Sequence, residues 1–122
     1  MASLVDWESM ESSLVEQMNW VGLNKMATDW LAQEPGNYRA WLALGKAQLS
    51  LDEDFGAVES FSKAVTISPN DKDGWYLLAA AYGKLGYMTS VISAFMKGLE
   101  LDPDPEAQEK LNQLKADPWA GK

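Results

Sequence analysis

A spacing of 34 residues relates two stretches of this chain, and a repeat of that length constrains the fold more than any other feature of the sequence. Trp41 recurs as Trp75, and Pro69 recurs as Pro103. Between these ends the recurring pairs are Leu44 and Leu78, Gly45 and Ala79, Ala57 and Val91, Phe61 and Phe95, and Ala64 and Gly98. A fixed period of this size indicates a stack of similar supersecondary units that bury their apolar faces against one another.

A weaker copy precedes these two, with Trp7 in the place of Trp41 and Pro35 in the place of Pro69. Its intervening substitutions are Met10 for Leu, Glu11 for Gly, Leu14 for Tyr, Leu23 for Ala, Ala27 for Phe and Trp30 for a small residue. Two explanations of Trp30 stay open at this point: the first unit is splayed where its helices cross, or Trp30 faces a partner. The small Ala27 beside it favours splaying, because it offsets the added bulk.

Apolar residues within each unit recur at the spacing of one helical face, so each unit is predicted to be a pair of helices. Small residues at mid-helix positions such as Gly45 indicate that a second helix crosses close by. Breaks such as Pro35-Gly36 and the prolines that end each unit separate the helices. The predicted helices cover 3–18, 21–33, 37–50, 54–67, 71–85, 88–101 and 105–116.

The recurring order W-x2-L-[GA], a small residue, F, [AG] and P resembles the signature of the tetratricopeptide repeat. Tyr82 fills the family's Tyr position in one copy, whereas Gln48 stands there in the other. The resemblance is strong over 38–105 and partial over 4–37. It implies an all-α, right-handed solenoid of three helical hairpins plus a C-terminal capping helix. The whole chain, 1–122, is then one domain, divided into a degenerate repeat at 4–37, repeats at 38–71 and 72–105, and the capping helix at 105–116.

The last predicted helix has the features of such a cap. Asp104 can cap its first turn, and Pro105 suits the first helical position. Ala107, Leu111 and Leu114 form a narrow apolar stripe on an otherwise polar helix. We therefore expect this stripe to cover the exposed edge of the third hairpin.

The chain has no histidine and no cysteine, which removes the common nucleophilic triads and ordinary zinc sites. The acidic run at 52–54 lacks the alternating spacing of a calcium loop, so it is interpreted as a solvated turn. We predict that the chain is not an enzyme and needs neither a cofactor nor a metal.

A net charge of −8 argues against nucleic acid and anionic membrane surfaces as partners. The longest apolar run, 75–82, is too short for a membrane span, which takes about 20 residues. The first 24 residues carry no Lys or Arg, unlike a secretory signal peptide. Two locations remain open: the cytoplasm, or a place as the soluble domain of an exported or membrane-tethered protein.

The resemblance implies a non-enzymatic scaffold that binds a peptide or helix of a partner protein in a concave groove. The family's groove positions hold Arg39, Leu42, Lys46, Leu49, Tyr76, Ala80, Gly83 and Lys84. Arg39 is the only arginine of the chain, and arginine suits the capture of a carboxylate. We expect Arg39→Glu to weaken binding of a carboxylate-bearing ligand without altering stability.

One branch of the family holds the acidic tails of heat-shock chaperones through a clamp of basic and amide side chains. The clamp positions here hold Glu8, Ser12, Ala43, Asp73 and Leu77, so we predict that this chain does not bind such tails. Residues 31–37, followed by Trp41 and Leu44-Gly45, are similar to small bacterial proteins of cytochrome c maturation.

Self-association is the alternative function. The degenerate first repeat is rich in large flexible or aromatic residues: Trp7, Met10, Met18, Trp20, Met26 and Trp30. Methionine-rich surfaces adapt readily to partners, so this repeat could pack against a second copy and form a homo-oligomer.

Overall fold

The computed structural model describes residues 5–116, which form seven helices joined by short turns. They are α1 Trp7–Glu16, α2 Trp20–Gln33, α3 Tyr38–Ser50, α4 Asp54–Ile67, α5 Lys72–Leu85, α6 Met88–Leu101 and α7 Pro105–Ala116. The all-α prediction is confirmed. The first helix is shorter than predicted, because Asp6 caps its start by accepting a hydrogen bond from the Ser9 backbone N–H at 3.1 Å.

The helices pack mainly on their neighbours in sequence, from α1 on α2 through to α6 on α7. This arrangement places α1, α3 and α5, the first helices of three successive hairpins, along one side of the stack. The core consists of small clusters between adjacent helices. No helix within residues 5–116 combines the length and the apolar character that a membrane span requires.

Small residues allow the two helices of the second and third hairpins to approach closely, as the sequence predicted. A Cβ atom on Gly45 would collide with the ring of the fully buried Phe61. A Cβ atom on Gly98 would lie 2.6 Å from Tyr76 Cε1. One repeat earlier, Leu42 stands in the place of Tyr76 and Ala64 in the place of Gly98. The larger Tyr76 is therefore accommodated by the change from Ala to Gly at the facing position.

The first hairpin also has a packed core, but its large and small side chains occupy different repeat positions. Trp30 is 2% exposed and stacks on Trp7, with ring centroids 5.9 Å apart. Trp30 therefore belongs to the core, and the explanation that turns it toward a partner is wrong. The positions that hold Gly45 and Phe61 in the second unit hold Glu11 and Ala27 in the first. The side chain of Glu11 is buried.

A left-handed residue closes the turn inside every hairpin. Met18, Asp52 and Gly86 have φ angles of 54°, 62° and 77°, and they are spaced by 34 residues. The backbone N–H of the following residue bonds the carbonyl five residues earlier in each case. The same backbone turn therefore recurs in the first unit, where the side-chain pattern has decayed.

This recurrence predicts opposite effects of substitution at equivalent turns. Gly86→Ala should destabilise the chain by about 1–2 kcal/mol, because a Cβ atom disfavours a positive φ. Met18→Gly should stabilise it by up to about 1 kcal/mol, since Met18 is 69% exposed and has few contacts to lose. Urea denaturation measures both changes. Gly36→Ala is the matched control, because no atom lies within 4 Å of the added Cβ and its φ is not positive. A Gly86→Ala variant as stable as the parent would contradict the argument.

Candidate binding groove on the first helices

A cleft of about 380 Å³ lies where α1, α3 and the start of α5 meet. Its lining residues are Glu11 from α1, Tyr38, Arg39, Leu42 and Lys46 from α3, and Asp71 and Asp73 at the start of α5. Three of the predicted groove residues, Arg39, Leu42 and Lys46, therefore share one cleft. Arg39 and Lys46 lie one helical turn to either side of Leu42, which explains why α3 presents them together.

Arg39 is paired with a buried carboxylate. Its Nε donates to Glu11 Oε1 at 2.7 Å, and the Glu11 side chain is only 7% exposed. This hydrogen bond and the charge of Glu11 raise the pKa of Arg39. Its Nη1 and Nη2 atoms donate no hydrogen bond to a residue of 5–116.

The pairing corrects an expectation about Arg39. Arg39→Glu would set a second carboxylate against the buried Glu11, so a change in binding without loss of stability is not expected. The sequence held one signal for this. Glu11 stands where the later repeats have Gly45 and Ala79, and a large charged residue in a small-residue position needs a partner.

The floor of the cleft is made by Leu42 and Tyr38. Leu42 is 7% exposed, and the Tyr38 hydroxyl accepts a hydrogen bond from the Gly74 backbone N–H at 3.2 Å. Burial, together with the charge of Asp71, raises the pKa of Tyr38, so the phenol stays neutral at physiological pH. Tyr38 thus fastens α3 to α5. The repeat pattern did not indicate it, because Lys72 occupies the equivalent position in the next unit.

The rest of the predicted groove residues lie outside this cleft. Leu49 is half-buried and packs against the core, while Ala80 and Gly83 are exposed on α5. Lys84 donates to Asp52 Oδ1 at 2.5 Å and to the Leu49 carbonyl at 3.1 Å. Lys84 therefore holds α5 against the turn between α3 and α4, and its pairing with Asp52 raises the pKa of Lys84.

Tyr76 lies beneath the start of α7. Its ring packs against Phe95 with centroids 5.5 Å apart, and it lines a shallow depression with Asp104 and Ala107. The hydroxyl is buried without a hydrogen bond to a residue of 5–116, and burial raises the pKa of Tyr76. The structure thus separates Tyr76 from the cleft that holds Arg39.

One hydrogen bond marks the repeat boundary in both complete units. Trp41 Nε1 donates to the Pro35 carbonyl, and Trp75 Nε1 donates to the Pro69 carbonyl, each at 2.9 Å. The sequence from 38–71 and again from 73–105 matches the family model of the tetratricopeptide repeat. The chain belongs to the tetratricopeptide repeat family. The resemblance predicted from the sequence is confirmed.

Curated relatives of this tetratricopeptide repeat chain are much longer proteins. It is 32% identical over 97 residues to Superkiller protein 3 of Schizosaccharomyces pombe, which covers 80% of this chain and 7% of the relative. It is 28% identical over 91 residues to Superkiller protein 3 of Saccharomyces cerevisiae, which covers 70% of this chain and 6% of the relative. The chain spans less than a tenth of either relative.

Solved structures similar to the chain share the tetratricopeptide repeat fold. The first TPR of Spaghetti (RPAP3) bound to HSP90 peptide SRMEEVD superposes with a TM-score of 0.82 at 18% identity, covering 88% of this chain and 86% of that one. The TPR2B-domain:pHsp70 complex of yeast Sti1 gives a TM-score of 0.79 at 15% identity, covering 88% and 89%. These likenesses establish the fold, and the first of them is a domain with a bound peptide.

Proposed function

We propose that this chain is a non-enzymatic interaction scaffold that binds a peptide or helix of a partner protein in the cleft between α1, α3 and α5. Tetratricopeptide repeat domains are interaction modules, and a neighbour of the same fold carries a bound peptide. The observation that carries the proposal is the cleft itself, in which the buried Leu42 lies beneath two accessible cations, Arg39 and Lys46.

The cleft suits a ligand that places an apolar side chain beside a carboxylate. Leu42 and Tyr38 offer the apolar contact, while Lys46 and the Nη atoms of Arg39 offer charge-assisted hydrogen bonds. A free C-terminus or an acidic amphipathic helix has this chemistry. The other predicted groove residues, Leu49, Tyr76, Ala80, Gly83 and Lys84, lie outside this cleft, and their contact with a ligand stays a prediction from the sequence.

Lys46→Glu should weaken ligand binding at least tenfold without changing the unfolding midpoint. Lys46 makes no ion pair and no hydrogen bond with a residue of 5–116, so its reversal breaks no ion pair or hydrogen bond of the described fold. The probe is the set of peptides selected from a random 12-residue display library, titrated by fluorescence anisotropy. Affinity should also fall as salt is raised, because the charges at the rim are screened.

Lys25→Glu is the matched control, because Lys25 is exposed on α2, away from the cleft. Lys63 is less suitable, since its Nζ lies 5.8 Å from the ring centroid of Trp41. If the selected peptides bind Lys46→Glu as tightly as the parent, the cleft is not the working surface.

A chaperone tail should not bind. Glu8 and Asp73 are exposed at two positions where the clamp needs basic or amide side chains, and Ala43 is fully buried at a third. Titration of the peptide SRMEEVD should therefore show no saturable binding. A dissociation constant in the micromolar range would contradict this exclusion.

A role in cytochrome c maturation stays a prediction from the sequence. It would be supported if a helical peptide of an apocytochrome bound the parent chain and lost affinity for Lys46→Glu. Binding unaffected by that substitution would place such a ligand elsewhere.

Self-association also stays a prediction, and the structure favours the monomer on one point. Where α3 buries Ala40, Ala43 and Ala47 against α2, the equivalent residues of the first unit are exposed and polar: Asp6, which caps α1, and Ser9 and Ser13 within α1. A helix face with polar residues at these positions is poorly suited to stack on another hairpin. Light scattering across a concentration series measures the oligomeric state.

A further inference from the structure

The cleft contains charges of both signs. Within the described fold, one cationic and one anionic side chain of its lining make neither an ion pair nor a hydrogen bond. Arg39 pairs with Glu11 through its Nε atom. Lys46 makes no ion pair with a residue of 5–116. The carboxylate of Asp73 likewise makes neither an ion pair nor a hydrogen bond within that range. The two free charges come from different helices, Lys46 from α3 and Asp73 from α5.

A second carboxylate lies on the Asp73 side. Asp71 caps α5 by accepting a hydrogen bond from the Asp73 backbone N–H at 3.0 Å, and it lies close enough to Tyr38 to raise the pKa of that phenol. The lining as a whole holds two cations and three carboxylates. A wholly acidic segment would therefore meet net repulsion, in a chain whose net charge is already −8.

We propose that the segment bound in this cleft carries a basic side chain as well as a carboxylate, on either side of the apolar residue that contacts Leu42. The carboxylate pairs with Lys46 and Arg39, and the basic group pairs with Asp73 and Asp71. This inference rests on the function proposed above and specifies its ligand. Opposite charges at matched positions give specificity, because a segment of one sign leaves a like charge facing it.

The same mixed lining would let this acidic chain discriminate among segments that carry a carboxylate. Lys46 alone would accept any carboxylate near an apolar residue, whereas Asp73 rejects those whose neighbouring residue is also acidic. Asp73 is therefore the residue that we assign to selectivity, and Lys46 the residue that we assign to anchoring.

The test is a selection from the random 12-residue display library on the parent chain, followed by titration of the recovered peptides against Asp73→Lys and Lys46→Glu. We expect recovered peptides to contain Lys or Arg and Asp or Glu flanking an apolar residue. Each variant should lower their affinity at least tenfold. Replacing the basic residue of a peptide by Glu should weaken binding to the parent far more than binding to Asp73→Lys.

Two further variants guard the interpretation. Asp73→Asn keeps the size of the side chain and should give a smaller loss than Asp73→Lys, while a circular dichroism melt of each variant checks that the overall helical fold is retained. Asp29→Lys makes the same charge change at an exposed site on α2 and should leave the affinity unchanged.

The outcomes separate this inference from the proposed function. One outcome would overturn the inference and still support the cleft as the binding site. In it, the recovered peptides lack basic residues, bind Asp73→Lys as tightly as the parent and lose affinity for Lys46→Glu. Recovery of no binding peptide, or of peptides indifferent to both substitutions, would overturn both.

Discussion

Phe61→Ala should lower the free energy of unfolding by about 3–5 kcal/mol, the usual loss for a large buried aromatic residue. Phe61 is fully buried between α3 and α4, and its ring fills the space that Gly45 leaves open. The neighbouring backbone is helical on both sides, so the cavity has little freedom to collapse. Urea denaturation followed by tryptophan fluorescence measures the loss.

Phe95→Ala is the matched control, because Phe95 occupies the same repeat position and is only half-buried. It should lose less, about 2 kcal/mol, in proportion to its smaller buried area. A loss below about 1 kcal/mol for Phe61→Ala would mean that the core between α3 and α4 is not packed as described.

Truncation of the chain before Asp104 should lower the melting temperature and promote aggregation. The truncation removes α7, which buries Ala107 and Leu111 against Leu99 of α6. Leu114 adds a contact to the cluster of Ala79, Val91 and Ala94. Burial of Leu111 alone is worth about 2–3 kcal/mol, so the whole helix contributes more than that.

Point substitutions distinguish the covering role of α7 from a general effect of shortening the chain. Leu111→Ala should reproduce a large part of the loss, whereas Gln113→Ala, on the exposed side of the same helix, should have almost no effect. A truncated chain that stays monomeric with an unchanged melting temperature would show that α7 does not protect the edge of the third hairpin.

The repeat pattern predicted the helices and the core because both depend on residues that recur. Gly45 and Phe61 are in contact for the reason that the sequence indicated, namely that a small residue permits a close crossing. Where the first unit departs from the pattern, the residue types alone did not predict how its side chains pack. Trp30 stacks on Trp7 in a buried cluster that also contains Ala27.

The candidate site was predictable only as a set of positions on a common side. Periodicity assigns Arg39 and Lys84 to the first helices, but it does not specify the partner of a charge across hairpins. Arg39 pairs with a residue 28 positions away, and Lys84 with one 32 positions away. Tyr76 shows the same limit, because α7 covers a position that the pattern alone places in the groove.

Packing between sequence neighbours means that no single interface holds the whole chain together. Such a stack opens from its ends, and amide hydrogens in α3 to α5 should exchange more slowly than those in α1. The lining of the cleft comes from helices of different local stability, because Glu11 belongs to α1 while Leu42 and Asp73 belong to the middle of the stack. Detachment of α1 would dismantle one wall without unfolding the rest. The apparent affinity for a ligand then scales with the fraction of molecules in which α1 is docked, and a bound segment in turn holds that end closed.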